Sequence, residues 1–141
     1  MDTAIICVGN ALIPGDDLGH RVYEFLAGQA IPGGVVVIDG GLKGIDLLPL
    51  VEGRKRVVFV DAVAGFGPPG EVVILDRETA ASGAGPYDHG AGLPYLLRLL
   101  PFVCETPVPE CLVVGAEGPA HPSVVRATAT ASLEVAIHGC S

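Results

Sequence analysis

Tryptophan is absent, and tyrosine, phenylalanine and methionine are rare (three, four and one) in a chain of 141 residues. Half of the residues are nonetheless hydrophobic and only 17% are charged. An apolar chain so poor in aromatics argues against a half-solvated antiparallel sandwich. It favours Val/Ile/Leu-rich strands covered on both faces. Basic residues are also scarce, eight against sixteen acidic ones, and the net charge is −8. Binding nucleic acid needs clustered Lys and Arg, and only Arg54, Lys55 and Arg56 cluster here, so neither DNA nor RNA is expected as a partner. Every apolar run is far shorter than the roughly 20 residues that span a bilayer. No basic stretch precedes a signal-like segment, and the first apolar run stops at Gly9-Asn10. The expectation is a cytoplasmic protein with no membrane partner. Cys7, Cys104, Cys111 and Cys140 form no CxxC pair, which argues against a zinc knuckle or redox motif. Cys7, inside an apolar run, reads as a small core residue. No GxGxxG or GxSxG occurs, so a dinucleotide fingerprint and a nucleophile elbow are both missing.

What is present alternates strand with helix. Ala4–Val8 reads as the first strand, and Leu18, Val22, Phe25 and Leu26 follow at helical spacing. Asp16 or Asp17 stands where that helix needs an N-cap oxygen. Val35–Ile38 is a β-branched strand that gives way to Asp39-Gly40-Gly41, a short helix spans about Ile45–Val51, and Val57–Val60 is a third strand running into Asp61. After the turn-rich GFGPPG at 65–70, Val72–Leu75 suits an antiparallel edge strand, and Thr79–Tyr87 reads as a loop. A helix over Leu93–Leu100, a strand over Cys111–Val114 and a helix over Ser123–Ile137 complete the series. The size and pattern predict one domain over 1–141. They imply an α/β fold in three layers, its five-stranded sheet mostly parallel with one antiparallel edge strand.

Open α/β sheets bind ligands beyond the carboxyl ends of their strands. Asp16, Asp39 and Asp61 follow the first three strands, and His89 in YDHGAGL precedes a helix, so all four are expected on one rim. Asp16 reads either as a cap or as a cation ligand, and the second aspartate, Asp17, leaves one of the pair free. Asp61 follows four apolar residues. A carboxylate there is costly to bury and takes up a proton unless it finds a donor or a metal. His89 reads as a solvated loop residue or as a ligand left open by the glycines after it. Two carboxylates and a neutral imidazole suit nickel or zinc with coordination positions to spare.

Four blocks carry a resemblance: IICVGNALIPGDDLG (5–19), VVVIDGGLKGIDLLPL (35–50), RVVFVDAVAGFGPPGEVVIL (56–75) and HGAGLPYLL (89–97). With VVGAEG at 113–118, this chain resembles the hydrogenase maturation endopeptidases. The resemblance implies an endopeptidase that removes the C-terminal extension of a [NiFe] hydrogenase large-subunit precursor after nickel insertion. It implies that nickel carried by the substrate is the recognition element, with zinc or another divalent ion able to take its place. Asp16, Asp61 and His89 match the family's metal-binding and catalytic positions, and Asp39-Gly40-Gly41 matches a substrate-handling loop. The chain departs from the family pattern at Pro14, which is added, and in lacking a glycine after the aspartates. Asp17 is therefore an alternative ligand, with Asp16 favoured because the distance from Asn10 to Gly19 is unchanged. Attack by water activated by an aspartate and attack by water polarised by a metal both stay open. The rival reading is a non-proteolytic assembly module that checks the metal of a metalloprotein.

Overall fold

The computed structural model describes residues 2–42, 44–82 and 92–139. Strand β1 (Thr3–Val8) leads through helix α1 (Leu18–Ala27) to β2 (Val35–Gly41). A single 3-10 turn (Ile45–Leu47) runs into α2 (Leu48–Val51), and β3 is Arg56–Ala62. Then come β4 (Val73–Asp76), α3 (Arg77–Ser82), α4 (Gly92–Val103), β5 (Glu110–Ala116) and α5 (Pro122–His138). The five strands form one sheet of order β2-β1-β3-β5-β4. All neighbours pair in parallel except β4, which runs antiparallel to β5 at the edge. The expected α/β architecture is the observed one.

Both faces are covered, which is why the strands read as unbroken apolar runs. Ala4, Ile6, Val57, Phe59 and Val113 pack on one side with Val51, Ala81, Leu93 and Leu97 from α2, α3 and α4. Ile5, Cys7, Val58, Val60 and Val114 pack on the other with Val22 and Leu26 of α1 and Val125 and Ala129 of α5. Burying one such Val, Leu, Ile or Phe side chain contributes about 1.5–3 kcal/mol. Cys7 is a core residue, as expected. Burial, with Asp39 adding to it, pushes its thiol up to about 12. The two hydroxyls buried in α5, Thr128 and Ser132, each donate to the carbonyl one turn back, Val124 and Thr128, at 2.7 Å.

Three expectations are corrected. Residues 79–82 do not start a loop but belong to α3. Asp76 Oδ1 accepts from Thr79 N at 2.7 Å, and Ala80 and Ala81 are buried, so a capped start and two small inward residues make a helix without an apolar stripe. The second strand does not end at Ile38. Asp39 pairs with Cys7 and Gly41 with Val8, leaving Gly40 as the extra residue of a bulge. Nor does either aspartate cap α1 through its side chain. Asp17 holds the cap position without a capping bond, because its carboxylate is taken by Arg21, Nε–Oδ2 2.7 Å.

The basic cluster sits where β3 begins. Arg56 there pairs with Glu110 and donates to the Ala136 carbonyl at 2.9 Å. No helix among the described residues is long and apolar enough to cross a membrane.

Candidate active site

From β1 the chain turns through α1 to β2 on one side, while β3 lies on the other side of β1. The direction of winding therefore reverses between β1 and β3, and a crevice opens beyond their carboxyl ends. Asp16 and Asp61 are placed there.

Loop geometry brings Asp16 in. Gly9, at φ +135°, ends β1 in a conformation open to glycine, and a Cβ on it would lie 2.4 Å from the Asp16 carbonyl oxygen. Two short turns follow: Asn10 Oδ1 accepts from Leu12 N at 2.9 Å, and Asp16 N donates to Ile13 O at 3.0 Å. The loop then closes on itself, with Asn10 N donating to Asp16 Oδ2 at 3.0 Å. Pro14 is accommodated on its exposed side. Gly19 lets the first turn of α1 press on the strand ends. A Cβ there would lie 2.0 Å from the Val8 oxygen and 2.8 Å from the Val60 oxygen.

Asp61 is within β3 rather than after it, paired with Gly115, and alternation puts it on the same face as Val57 and Phe59. Part of the residue reaches solvent, yet its carboxyl lies deep among the strand ends. Burial, reinforced by the Asp16 charge, raises its pKa well above the ordinary 3.8, and a bond from Ala62 N offsets this only in part. The sequence argument that a carboxylate at this strand end is costly to keep ionised is met by the geometry. Asp16 and Asp61 line one cavity of about 150 Å³ together with Gly9, Gly41, Leu42 and Leu93.

The remaining candidates separate. Asp17 is turned to Arg21, which holds its carboxyl below the usual range, and does not line that cavity. Asp39 is exposed and folds back on its own strand end, its Oδ1 accepting from Gly41 N at 3.2 Å. It also stands 3.9 Å from His20 Nδ1, and His20 meets Glu24 at 3.2 Å, so this histidine links α1 to β2. Gly40 is packed so tightly that a Cβ would lie 2.9–3.1 Å from Ile6, Leu47 and Val8, while Gly41 at φ +63° turns the chain into the cavity wall. Gly9 N donates to Gly41 O at 2.9 Å and ties the two loops together. His89 lies outside the described residues. Among the described residues, no group of three His, Cys, Asp or Glu side chains could hold a metal ion. Sequence reasoning missed Leu93, which lines the cavity beside the carboxylates.

Two acidic side chains line an open crevice at the switch point of a mostly parallel sheet, in an α/β protein. The comparisons identify the family. The model described as hydrogenase maturation protease matches residues 20–137, and the chain belongs to that family of peptidases. The hydrogenase 2 maturation protease of Escherichia coli (strain K12) is 32% identical over 117 residues, 80% of this chain and 71% of the relative. Hydrogenase 3 maturation protease from the same strain is 34% identical over 102 residues, 71% of this chain and 65% of the relative. The solved structure of the hydrogenase maturating endopeptidase HybD from E. coli matches with a TM-score of 0.73 at 29% identity, covering 95% of this chain and 88% of that one.

Proposed function

We propose that this protein is the endopeptidase that removes the C-terminal extension of a [NiFe] hydrogenase large-subunit precursor, and that it acts once nickel is in place. The observation carrying this reading is the shared cavity of Asp16 and Asp61 at the carboxyl ends of β1 and β3. In the proposed complex the nickel belongs to the precursor. Asp16, Asp61 and His89 fill coordination positions that the precursor leaves open, so a precursor without metal lacks the handle that seats it. Zinc or another divalent ion is expected to occupy the same donors in vitro. Gly41 shapes the wall along which the precursor tail lies, with Gly40 packed behind it and Asp39 bracing the turn. The cytoplasmic setting expected from the sequence is kept as part of the proposal.

Incubation with nickel-loaded and nickel-free precursor, followed by intact-mass measurement of the large subunit, tests this. Shortening of the loaded form alone is expected. Binding of the loaded form with no loss of mass would make the protein a non-proteolytic metal-checking module instead.

The two neighbouring aspartates should differ. Even outer-shell support of a metal is worth about 10–100-fold in affinity, so Asp16→Asn is expected to weaken nickel-dependent binding of the precursor at least about tenfold. Asp17→Asn loses only a surface pair to Arg21, of a kind that contributes little to stability, and should bind like wild type. Calorimetric titration with the loaded precursor distinguishes them, and an equal loss in both variants would reassign the ligand.

Leu12 and Leu42 are 90% and 70% exposed on the two loops that carry Asp16 and Gly41. Large apolar side chains beside a crevice suit a protein partner. Leu12→Ser with Leu42→Ser should raise KM for the precursor about tenfold, the loss of roughly 1.4 kcal/mol shared between two apolar anchors, and should leave kcat and the melting temperature near wild type.

A further inference from the structure

A second cavity, of about 260 Å³, is also lined by Asp61. Its walls are apolar: Val63, Phe66, Leu75, Leu93, Leu97 and Val113. Asp61 is the one charged residue that lines it among those described, and it stands at the boundary. Asp61 and Leu93 line both this cavity and the carboxylate cavity, so the two spaces adjoin. A peptide whose carbonyl lay beside Asp61 would have a neighbouring side chain within reach of the apolar walls. Resting on the proposed proteolytic reading, we propose that this cavity is the subsite for the side chain next to the scissile bond, and that it selects a medium-sized apolar residue there.

Size and chemistry both point to that occupant. An apolar cavity of about 150 Å³ already accepts a benzene-sized guest, so this one has room for a leucine, methionine or phenylalanine side chain. An acidic side chain would be desolvated against the walls. A small side chain would leave the walls uncovered. Methylene-scale differences in such a pocket discriminate about 10–200-fold. The floor is built from β3, β4 and β5 and from α3 and α4, elements locked in the core. Ala80 of α3 is buried there, and Ala64 lies exposed at the rim.

The experiment uses nickel-loaded precursors that carry Leu, Ala or Asp on either side of the cut. They are offered to wild type, to Ala64→Phe, which closes the rim without entering the core, and to Ala80→Leu, which fills the floor. Both kcat/KM and the Kd of the precursor are measured, so selection is read even if nothing is cut. At one of the two flanking positions, wild type should prefer Leu to Ala about tenfold and Leu to Asp about 100-fold. Ala64→Phe should erase or invert the Leu preference while still accepting Ala. Equal kcat/KM and Kd across the three side chains at both positions, or a Leu preference that both variants leave intact, overturns the subsite. Selective binding without cutting keeps the subsite and removes the proteolytic reading, so the two ideas fail separately.

Discussion

Asp61→Asn should yield a protein that melts at a higher temperature than wild type at neutral pH and yet processes precursor at least 100-fold more slowly. Both effects come from the same carboxyl group. Burial and the nearby Asp16 charge raise its pKa well above the 3.8 of the unfolded chain. Between those two values the folded protein holds a proton that the unfolded chain releases. Stability therefore falls as pH rises through that window and stays lowered above the folded-state pKa. An ionised Asp61 is thus a liability to the fold at neutral pH. Asparagine removes the charge and still accepts the bond from Ala62 N. A gain of about 1 kcal/mol would shift the melting temperature by roughly 3–5 °C in a domain of this size. The advantage of the variant should shrink on acidification and vanish below pH 3.8, where the carboxyl is protonated in both states. Melting curves of wild type and variant from neutral to acid pH measure this. A variant less stable than wild type at neutral pH would mean that Asp61 is satisfied in the free protein. On the proposed function, the loss of processing would follow from removing a donor to the precursor's nickel, since a neutral amide binds such an ion far less well than a carboxylate. A carboxyl buried at a cost to the fold is what a functional role, rather than packing, would select.

How far the sequence reveals this depends on the kind of residue. Val57–Val60 and Cys111–Val114 declare themselves as strands because they are buried on both faces. The ends of strands are harder to read, because backbone pairing outlasts the apolar pattern. Asp39, Gly41 and Asp61 all pair within the sheet, although nothing in their side chains suggests a strand. Helix α3 is hidden for the opposite reason: Ala80 and Ala81 bury so little surface that they leave no hydrophobic period. The aspartate pair could be narrowed but not separated from sequence. Arg21, one turn beyond Asp17, is the residue that draws Asp17 away, and Asn10 N is the donor that holds Asp16 toward the crevice. The pair to Arg21 has the i,i+4 spacing of a helical ion pair, but the Asn10–Asp16 contact across the loop does not follow from spacing. The apolar cavity beside Asp61 was not legible at all, because five separate elements contribute its walls.

Gly19→Ala should unsettle both the fold and the site, against the ordinary preference of helices for alanine. Alanine gains about 1 kcal/mol over glycine inside an exposed helix. Here the added Cβ would lie 2.0 Å from the Val8 oxygen and 2.8 Å from the Val60 oxygen, and both are backbone atoms that cannot rotate aside. Overpacking of this kind costs about 1–3 kcal/mol and occasionally more. The net effect is expected near the upper end, about 3 kcal/mol, or roughly 10 °C in melting temperature. The clash can be relieved only by lifting the first turn of α1 from the ends of β1 and β3. Asp16 is three residues before Gly19, so the lift would carry it away from Asp61. A misplacement of about 1 Å in a catalytic arrangement can lower a rate about 100-fold, and processing should fall accordingly even at temperatures where the variant is folded. Gly28→Ala is the control, because it sits at the other end of α1 and its Cβ would meet only the Phe25 oxygen at an ordinary 3.7 Å. That variant should fold and process as wild type does. Gly15→Ala separates backbone strain from collision: φ is +84° there and nothing lies within 4 Å of the Cβ, so it should lose about 1–2 kcal/mol and stay closer to wild type than Gly19→Ala. Thermal melts and precursor processing on the three variants decide the matter, and a Gly19→Ala protein as stable and as active as the Gly28→Ala control would show that α1 does not set the position of Asp16.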